Sequence, residues 1–378
     1  MALIRPDIAE MPAYSPVLPL DVLSKRLRRS PGELLKLDGN ENPYGPSLKV
    51  YQALAACRSY HIYPDPGHTM LREAIERYVG VGRDRILCGA GSGELLDLIM
   101  RLFLRPGDGV INCPPTFGMY SFDARLHGAE LITVRRGQEF TVDVEGIIRA
   151  WRDPPHVGRQ ARPPLPRPAA QPAARRAKLL FLNSPNNPDG GLITEEALRR
   201  LLELELVVVL DEAYAEFSGT THMALTQRHD NLIVLRTFSK WAGLAGLRVA
   251  YGVFPPALMP HLWKVKQPYN VNVAAQVAVL ASLADLDYLR GNVQRLITER
   301  DRLFAKLQTI EYLHPYPSHA NFILCRVVGR DARELKLTLE AEGILIRYFR
   351  NPGLEDCVRI SVGRPEQTDK LLAALHRV

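Results

Sequence analysis

Short apolar runs alternate with segments of helical period between about residues 85 and 254. The runs are typical of β-strands, and the periodic segments 94–104, 120–127 and 194–204 are typical of amphipathic helices. The predicted strands cover residues 85–88, 109–113, 129–134, 178–182, 206–210, 232–236 and 249–254. Alternation at this spacing predicts an α/β fold, with a mostly parallel central sheet covered by helices on both faces.

The pattern changes after about residue 264. A long helical stretch through residue 307 comes first, and a smaller set of elements follows it. That set comprises strands 321–326, 344–348 and 358–362 and helices 333–342 and 366–377. We therefore predict a large domain over residues 49–265 and a smaller α/β domain over residues 266–378, which the N-terminal arm 1–48 joins in space.

One segment interrupts the predicted large domain. Residues 152–178 contain seven prolines, together with seven basic residues and one acid, so they carry +6 of the chain's net charge of +7. Prolines remove backbone donors, and we interpret the segment as a surface insertion, with a functional basic tether as the alternative. Because the rest of the chain is nearly neutral, its charge does not predict a nucleic-acid-binding face.

The composition favours a globular protein of a reducing compartment. Of the 378 residues, 46% are hydrophobic and 24% are charged, as in most folded proteins. We expect neither a secretory signal nor a membrane helix, since residues 1–20 lack an apolar core and no run reaches about 18 apolar residues. The five cysteines are widely spaced, so we expect a cytoplasmic protein without disulfides, zinc or another metal.

A glycine-rich sequence, Gly-Ala-Gly-Ser-Gly-Glu at 89–94, stands between a predicted strand and a predicted helix. Glycines allow the backbone to approach an anion, and the N–H groups at a helix N-terminus attract negative charge. A phosphate cradle is one interpretation, and an ordinary turn is the other. The sequence is not a dinucleotide fingerprint, because Glu94 replaces its third glycine, and it is not a Walker A loop.

Polar residues follow the apolar run 207–210 directly. Asp211 comes first, and Tyr214 stands three residues later. In open α/β sheets, ligands bind outside the carboxyl ends of the strands. Asp211 could there hold a proton on a heterocyclic nitrogen, and Tyr214 could offer a phenol to the same ligand. A simple helix cap at Asp211 is the alternative.

Lys240 follows the next predicted strand, close to two hydroxyl residues and a glycine-spaced loop. Most lysines are solvated surface charges, but a lysine made neutral by burial or by neighbouring cations is a Schiff-base nucleophile. The hydroxyls of Thr237 and Ser239, with Arg248, could then hold a phosphate.

Arg359 is a charge inside the apolar pattern of residues 358–362. Such a guanidinium needs an anionic partner, which is either a substrate or the carboxylate of a structural salt bridge. The segment 183–190 is rich in Asn and Pro and by itself predicts only a loop.

Together these residues resemble the fold-type I pyridoxal-phosphate aminotransferases, and among them the histidinol-phosphate aminotransferases. The resemblance covers nearly the whole chain apart from the proline-rich segment, and it depends on seven blocks in a fixed order. The blocks are Leu-Asp-Gly-Asn-Glu-Asn-Pro-Tyr-Gly-Pro at 37–46, Tyr-Pro-Asp-Pro at 63–66, Pro-Pro-Thr-Phe-Gly-Met-Tyr at 114–120, Ser-Pro-Asn-Asn-Pro at 184–188, Asp-Glu-Ala-Tyr at 211–214, Arg-Thr-Phe-Ser-Lys at 236–240 with Gly-Leu-Ala-Gly-Leu-Arg at 243–248, and Arg-Ile-Ser-Val-Gly at 359–363. Asp189 is a mild departure, because a threonine is common there.

The resemblance implies pyridoxal 5′-phosphate as cofactor, bound at the subunit interface of a homodimer. Lys240 would form the Schiff base and shuttle a proton between the substrate carbon and the cofactor's C4′. Asp211 would keep the ring nitrogen protonated, and Asn187 and Tyr214 would hydrogen-bond the phenolic oxygen. Phe117 would stack on the ring. The residues implied to hold the phosphate are Ser92, Gly93, Thr237, Ser239, Arg248 and, from the neighbouring subunit, Tyr63.

The resemblance also implies a reaction: L-histidinol phosphate and 2-oxoglutarate would give imidazole-acetol phosphate and L-glutamate, in histidine biosynthesis. Arg359 is the candidate fork for the phosphate of one substrate and the carboxylate of the other, and Arg347, Tyr44 and Asn42 are further candidates. An aromatic amino acid aminotransferase and a threonine-phosphate decarboxylase are alternatives on the same scaffold. A non-catalytic regulatory domain is a third, although the presence of Lys240 speaks against it.

Overall fold

The structure of the protein is a computed structural model that describes residues 3–154 and 177–378. Most of the predicted surface insertion, residues 155–176, therefore lies outside the described residues. Within the described ranges, no helix combines the length and the apolar character that crossing a membrane requires.

Strands and helices alternate along the described chain, as the sequence predicts from residue 85 onward. The strands are β1 (Leu35–Leu37), β2 (Ile86–Gly89), β3 (Gly109–Asn112), β4 (Glu130–Thr133), β5 (Ala177–Asn183), β6 (Val207–Asp211), β7 (Leu232–Thr237), β8 (Ala250–Val253), β9 (Leu313–Pro315), β10 (Phe322–Val327), β11 (Ile344–Tyr348) and β12 (Cys357–Ser361). The α-helices are α1 (Pro6–Ala9), α2 (Leu20–Leu27), α3 (Leu48–Ala56), α4 (Thr69–Val79), α5 (Ser92–Phe103), α6 (Met119–Leu126), α7 (Val144–Arg152), α8 (Glu195–Leu202), α9 (Ala215–Ser218), α10 (Met259–Val265), α11 (Val273–Leu283), α12 (Leu286–Leu307), α13 (Ala332–Ala341) and α14 (Pro365–Leu375).

The large sheet has seven strands in the order β2-β8-β7-β6-β5-β3-β4. The five strands β3, β4, β5, β6 and β7 are parallel to one another, and β8 runs antiparallel to both β7 and β2. Successive side chains point to opposite faces, so that Val208 and Leu210 of β6 enter one apolar core and Val209 enters another. Helices cover both faces, and the predicted α/β class with a mostly parallel central sheet is confirmed.

The small sheet has five strands in the order β1-β11-β12-β10-β9. Strand β1 comes from the N-terminal arm and pairs in parallel with β11, while the other pairs are antiparallel. Helices α13 and α14 contribute Leu335 and Leu371 to the apolar core beside this sheet. The arm therefore supplies a strand to the sheet of the C-terminal region, and the predicted domain limits stay a prediction.

The predicted helical stretch 264–307 consists of three helices, α10 to α12. Pro268 follows α10, and Tyr269 has a φ of +58°, a left-handed conformation that does not continue a helix. Asn272 then caps α11, since its side chain accepts a backbone N–H hydrogen bond at 2.8 Å. The proline is the sequence signal for this break.

Helix α12 belongs to both apolar cores. Leu289 and Leu296 pack into a core of the large sheet, whereas Leu303 and Leu307 pack into the core of the small sheet. The two sheets also share a cavity, which the carboxyl ends of β5 to β7 line from one side and strands β11 and β12 from the other.

Candidate active site

The cavity has a volume of about 750 Å³. The predicted site residues that line it are Ser92, Phe117, Asn187, Asp211, Tyr214, Thr237, Ser239, Lys240, Arg248, Arg347 and Arg359. Parallel strands place their carboxyl ends at the same edge of a sheet, and this is why residues far apart in the sequence converge here.

Asp211 is the last residue of β6 and is only 3% exposed. Its carboxylate accepts a hydrogen bond from the hydroxyl of Tyr120 at 2.9 Å and another from the backbone N–H of Ala213 at 3.1 Å. Burial raises the pKa of Asp211 to about 6. Both donors are neutral, so the carboxylate is suited to pair with a protonated nitrogen of a ligand.

Lys240 lies in the loop after β7, and its amine donates a hydrogen bond to the carbonyl oxygen of Gly39 at 3.1 Å. Burial, and then the positive charge of Arg359, lowers the pKa of Lys240 to about 8. At pH 7 roughly a tenth of such amines are unprotonated, against fewer than about one in a thousand at an ordinary lysine pKa. The amine is therefore available as a nucleophile.

An anion cradle lies beside this amine. Ser92 begins α5 directly after Gly91, which has a φ of +82°. A side chain on Gly91 would overlap the guanidinium of Arg248, so glycine lets the arginine reach the helix N-terminus. The hydroxyl of Ser239 accepts a hydrogen bond from that of Thr237 at 2.9 Å and keeps its own proton for a ligand. These donors together suit a phosphate group.

Arg359 lies on β12, opposite Arg347 of β11. Its guanidinium donates from Nη1 to Oδ1 of Asn187 at 2.5 Å and from Nη2 to the carbonyl oxygen of Asp38 at 2.9 Å. Within residues 3–154 and 177–378, its buried Nε has no hydrogen-bond partner. Burial lowers the pKa of Arg359 to about 10. Because its acceptors are neutral and a second arginine faces it, this position suits an anionic ligand.

Two aromatic side chains of the cavity are held by packing. The ring of Tyr214 meets Phe322 edge-on at 5.1 Å, and its hydroxyl oxygen accepts a hydrogen bond from Nδ2 of Asn40 at 3.1 Å. The ring of Phe117 meets Tyr120 edge-on at 5.5 Å. Both rings therefore have fixed orientations at the edge of the large sheet.

The N-terminal segment 11–17 also lines the cavity, which the sequence did not predict. Arg347 donates a hydrogen bond from Nη2 to the carbonyl oxygen of Ser15 at 3.1 Å. The ring of Tyr14 meets Phe122 edge-on at 5.8 Å. These contacts are tertiary, and the segment has no periodic pattern that could have indicated them.

Asn42 and Tyr44 are not among the residues that line the described cavity. The amide of Asn42 donates a hydrogen bond to the carbonyl oxygen of Trp241 at 3.0 Å. The guanidinium of Arg364 lies 5.1 Å from the centre of the Tyr44 ring. Asn42 therefore binds the backbone next to Lys240, and Tyr44 packs against a cation outside the lining of the cavity.

Gly93 and Tyr63 also lie away from the lining of the described cavity. Gly93 is the second residue of α5, where its backbone N–H belongs to the open first turn of the helix. Tyr63 is 79% exposed, and its ring stacks on Tyr269 at 4.6 Å. An exposed aromatic pair is available for a contact with another chain.

The similarity to known proteins is high. A family model described as aminotransferase class I and II matches residues 32–375. The histidinol-phosphate aminotransferase of Roseiflexus castenholzii is 52% identical over 384 residues, which cover 100% of this chain and 98% of that protein. The chain belongs to the class I and II aminotransferases, in the histidinol-phosphate aminotransferase family. The resemblance predicted from the sequence blocks is thereby confirmed.

Further comparisons agree with this assignment to the histidinol-phosphate aminotransferase family. The chloroplastic histidinol-phosphate aminotransferase of Nicotiana tabacum is 47% identical over 376 residues, covering 99% of this chain and 86% of that protein. The crystal structure of histidinol-phosphate aminotransferase from Sinorhizobium meliloti in complex with pyridoxal 5′-phosphate superposes with a TM-score of 0.85. That chain is 26% identical, and the alignment covers 100% of this chain and 97% of that one.

Proposed function

We propose that this aminotransferase transfers the amino group of L-histidinol phosphate to 2-oxoglutarate, which gives imidazole-acetol phosphate and L-glutamate in histidine biosynthesis. The proposal depends above all on the convergence of Lys240, Asp211 and Arg359 in one cavity of a chain from this family. The full-length relatives with this name support the same substrate.

The residues of the cavity fit pyridoxal 5′-phosphate, which we propose as the cofactor. Asp211 would pair with the ring nitrogen, and Lys240 would react with the aldehyde. The anion cradle around Arg248 would bind the phosphate. Glycine at position 91 suits this cradle, because its φ of +82° disfavours other residues and a side chain there would displace the guanidinium of Arg248. When bound, the cofactor supplies an electron sink for the carbanion that forms on removal of the substrate's α-proton.

We propose that Lys240 and Asp211 handle the two essential protons. The neutral amine of Lys240 takes the proton from the substrate's α-carbon and returns one at the cofactor's C4′. Asp211 holds a proton on the ring nitrogen through its buried negative charge. The hydroxyl of Tyr120 and the N–H of Ala213 keep that carboxylate oriented.

Asn187 and Tyr214 are proposed to donate hydrogen bonds to the cofactor's phenolic oxygen. Oδ1 of Asn187 already accepts from Arg359, so its Nδ2 is left to donate. Phe117 is proposed to stack on the ring. Ser239, with the other members of the cradle, namely Ser92, Gly93, Thr237 and Arg248, is proposed to bind the phosphate.

Arg359 is proposed to bind the anionic group of each substrate in turn. Its charge is desolvated and its partners are neutral, so either a phosphate or a carboxylate gains a strong charge-assisted bond. Arg347, on the neighbouring strand, is proposed to assist. Asn42 and Tyr44 stay proposed as further substrate-binding residues, and neither of them lines the described cavity of the single chain.

We propose a homodimer in which Tyr63 reaches the phosphate site of the other subunit. Large hydrophobic side chains around it are exposed in the single chain, among them Tyr60 at 55%, Ile62 at 57% and Tyr269 at 41%. A patch of this kind is typical of a protein interface. Size-exclusion chromatography with light scattering tests the dimer, and a monomer at micromolar concentration would contradict it.

We also propose a cytoplasmic location. All five cysteines belong to the described part of the chain and are free thiols, four of them buried. Unpaired thiols are typical of a reducing compartment.

Separate half-reactions test the substrate. The cofactor-loaded enzyme is offered L-histidinol phosphate, phenylalanine or threonine phosphate, and the bound cofactor's absorbance and the product masses are followed. We expect amino transfer to be most efficient with histidinol phosphate. Faster conversion of phenylalanine would indicate an aromatic amino acid aminotransferase, and release of carbon dioxide from threonine phosphate would indicate a decarboxylase.

A further inference from the structure

Residues 38–40 run between the two sheets and contact three side chains of the cavity. The carbonyl oxygens of Asp38 and Gly39 accept hydrogen bonds from Arg359 and Lys240. Asn40 contacts Tyr214 with its side-chain amide. Asn40 is 1% exposed and has a φ of +54°, a conformation that asparagine tolerates better than most residues.

The direction of each hydrogen bond around Asn40 follows from its partners. The backbone N–H of Asn40 donates to Oγ of Ser361 at 2.8 Å, and the hydroxyl of Ser361 donates its own proton to Oδ1 of Asn40 at 3.0 Å. Among the described residues the hydroxyl of Ser361 has no other acceptor for its proton, so this pairing places Oδ1 rather than Nδ2 of Asn40 next to the serine. Nδ2 must then point the other way, towards the hydroxyl of Tyr214, 3.1 Å distant.

An amide nitrogen can donate but cannot accept a hydrogen bond. The oxygen of Tyr214 is therefore the acceptor in this contact, and its own proton has to point elsewhere. Since Tyr214 lines the cavity, that proton is left for an acceptor there.

We infer that Asn40, held by Ser361, is a positioning residue that makes Tyr214 a hydrogen-bond donor into the cavity. The inference rests on the proposed cofactor site. It explains the buried hydrogen bonds from Ser361 to Asn40 and from Asn40 to Tyr214, through which the serine determines the direction in which the hydroxyl of Tyr214 donates. Ser361 and Arg359 stand two residues apart on β12, so the same strand that carries the proposed anion site also fixes Tyr214.

The test is a pH titration of the absorbance of the bound cofactor, which needs no substrate. A donor aimed at the cofactor's phenolic oxygen withdraws negative charge, so its loss makes the bound cofactor hold its proton more tightly. Tyr214→Phe removes the donor and should raise the midpoint by roughly 1–2 pH units, the size of one hydrogen bond to a charged group. Asn40→Gly keeps the backbone conformation but removes the amide, and should raise the midpoint by a part of that shift.

The double variant separates an effect through Tyr214 from a general one. In the Tyr214→Phe background, Asn40→Gly should add no further shift. An additional shift there, or an unchanged midpoint in the single Asn40→Gly variant, would overturn the inference.

Ser361→Ala provides a second route to the same test if Asn40→Gly folds poorly. Without the serine the amide can rotate, and we expect a smaller upward shift; an unchanged midpoint would again overturn the inference. Ser282→Ala is the matched control, because Ser282 is a buried serine of α11 whose hydroxyl has no hydrogen-bond partner among the described residues. The proposed substrate can fail in the half-reactions without affecting any of these midpoints, so the two failures are distinguishable.

Discussion

Two groups of buried charge lie near the ends of β6 and β7, on opposite sides of the large sheet, and the second group is completed by Arg359 from β12 of the small sheet. On the face away from the cavity, Arg236 donates from Nε to Glu212 at 2.9 Å and from Nη1 to Glu216 at 2.8 Å. Burial alone would lower the pKa of Arg236, but the carboxylates of Glu216 and Glu212 raise it. This cation is neutralised within the protein.

The group on the cavity face is built differently. Among the residues that the structure describes, Lys240 and Arg359 donate only to neutral carbonyl and amide oxygens, and the carboxylate of Asp211 accepts only from a hydroxyl and an N–H group. Burial is the largest cause of all three pKa shifts, and each shift favours the uncharged form. These side chains can therefore bind the charged groups of a ligand.

Asp211 and Glu212 are neighbours in the sequence, and so are Arg236 and Thr237. Each pair is divided between the two faces, because side chains of a strand alternate. The charged side chains of both groups are buried, and the two groups differ in the charge of their hydrogen-bond partners. A buried charge that is paired with an opposite charge of the same chain stabilises the fold, whereas a buried charge with neutral partners indicates a binding site.

The largest effect is expected for Lys240→Ala. Loss of the amine removes both the covalent link to the cofactor and the proton transfer, so the transamination rate should fall at least about a thousandfold. Borohydride should fix the cofactor to the wild-type chain but not to the variant, as measured by mass spectrometry. A fixed adduct in the variant would show that the nucleophile is another residue.

Arg236→Met should act on stability. It leaves the carboxylates of Glu212 and Glu216 buried without their cation, which should cost roughly 3–5 kcal/mol of the free energy of unfolding. Urea denaturation of the cofactor-free chain measures this. A loss below about 1 kcal/mol would contradict the structural assignment of this group.

Arg359→Ala should act mainly on activity, in contrast to Arg236→Met. The values of kcat/KM for histidinol phosphate and for glutamate should both fall roughly 30- to 5000-fold, which corresponds to a loss of about 2–5 kcal/mol of transition-state stabilisation. The free energy of unfolding should fall by less than in Arg236→Met, since no buried carboxylate loses its cation and a charge that repels Lys240 is removed. If only glutamate were affected, a shared anion site would be wrong.

The pH dependence of cofactor capture should be the smallest effect. The pKa of Lys240 is lowered to about 8, so the neutral amine increases about tenfold per pH unit below that value and levels off above it. Stopped-flow absorbance of the cofactor-free enzyme should follow this curve. Because Arg359 lowers this pKa, Arg359→Ala should move the curve to higher pH. A wild-type rate that still increases tenfold per unit up to pH 10 would indicate an unshifted lysine.

Much of the large sheet could be predicted from the sequence. The run Val207–Leu210 is apolar at every position, as a strand buried on both faces requires, and this placed Asp211 at the ligand edge. Strand β1 was not predicted, because three residues give no periodic signal and its partner β11 is some three hundred residues away in the sequence.

The candidate site was predictable where a residue ends a strand or belongs to a sequence block, and not where its role depends on a distant partner. Tyr120 has the period of a helix core, and its hydrogen bond to Asp211 depends on how α6 packs. Asn40 and Ser361 were present in the blocks, but only the folded chain brings their side chains together. Asn42 and Tyr44, from the same block as Asn40, do not line the cavity.

Helix α12 is a rod of about 33 Å, given its 22 residues and a rise of about 1.5 Å per residue. One end is anchored beside the large sheet and the other beside the small sheet. Any swing of one sheet against the other must turn on this rod or bend it. We therefore expect the width of the cleft beside Lys240 to depend partly on the stiffness of this helix, none of whose residues lines the described cavity.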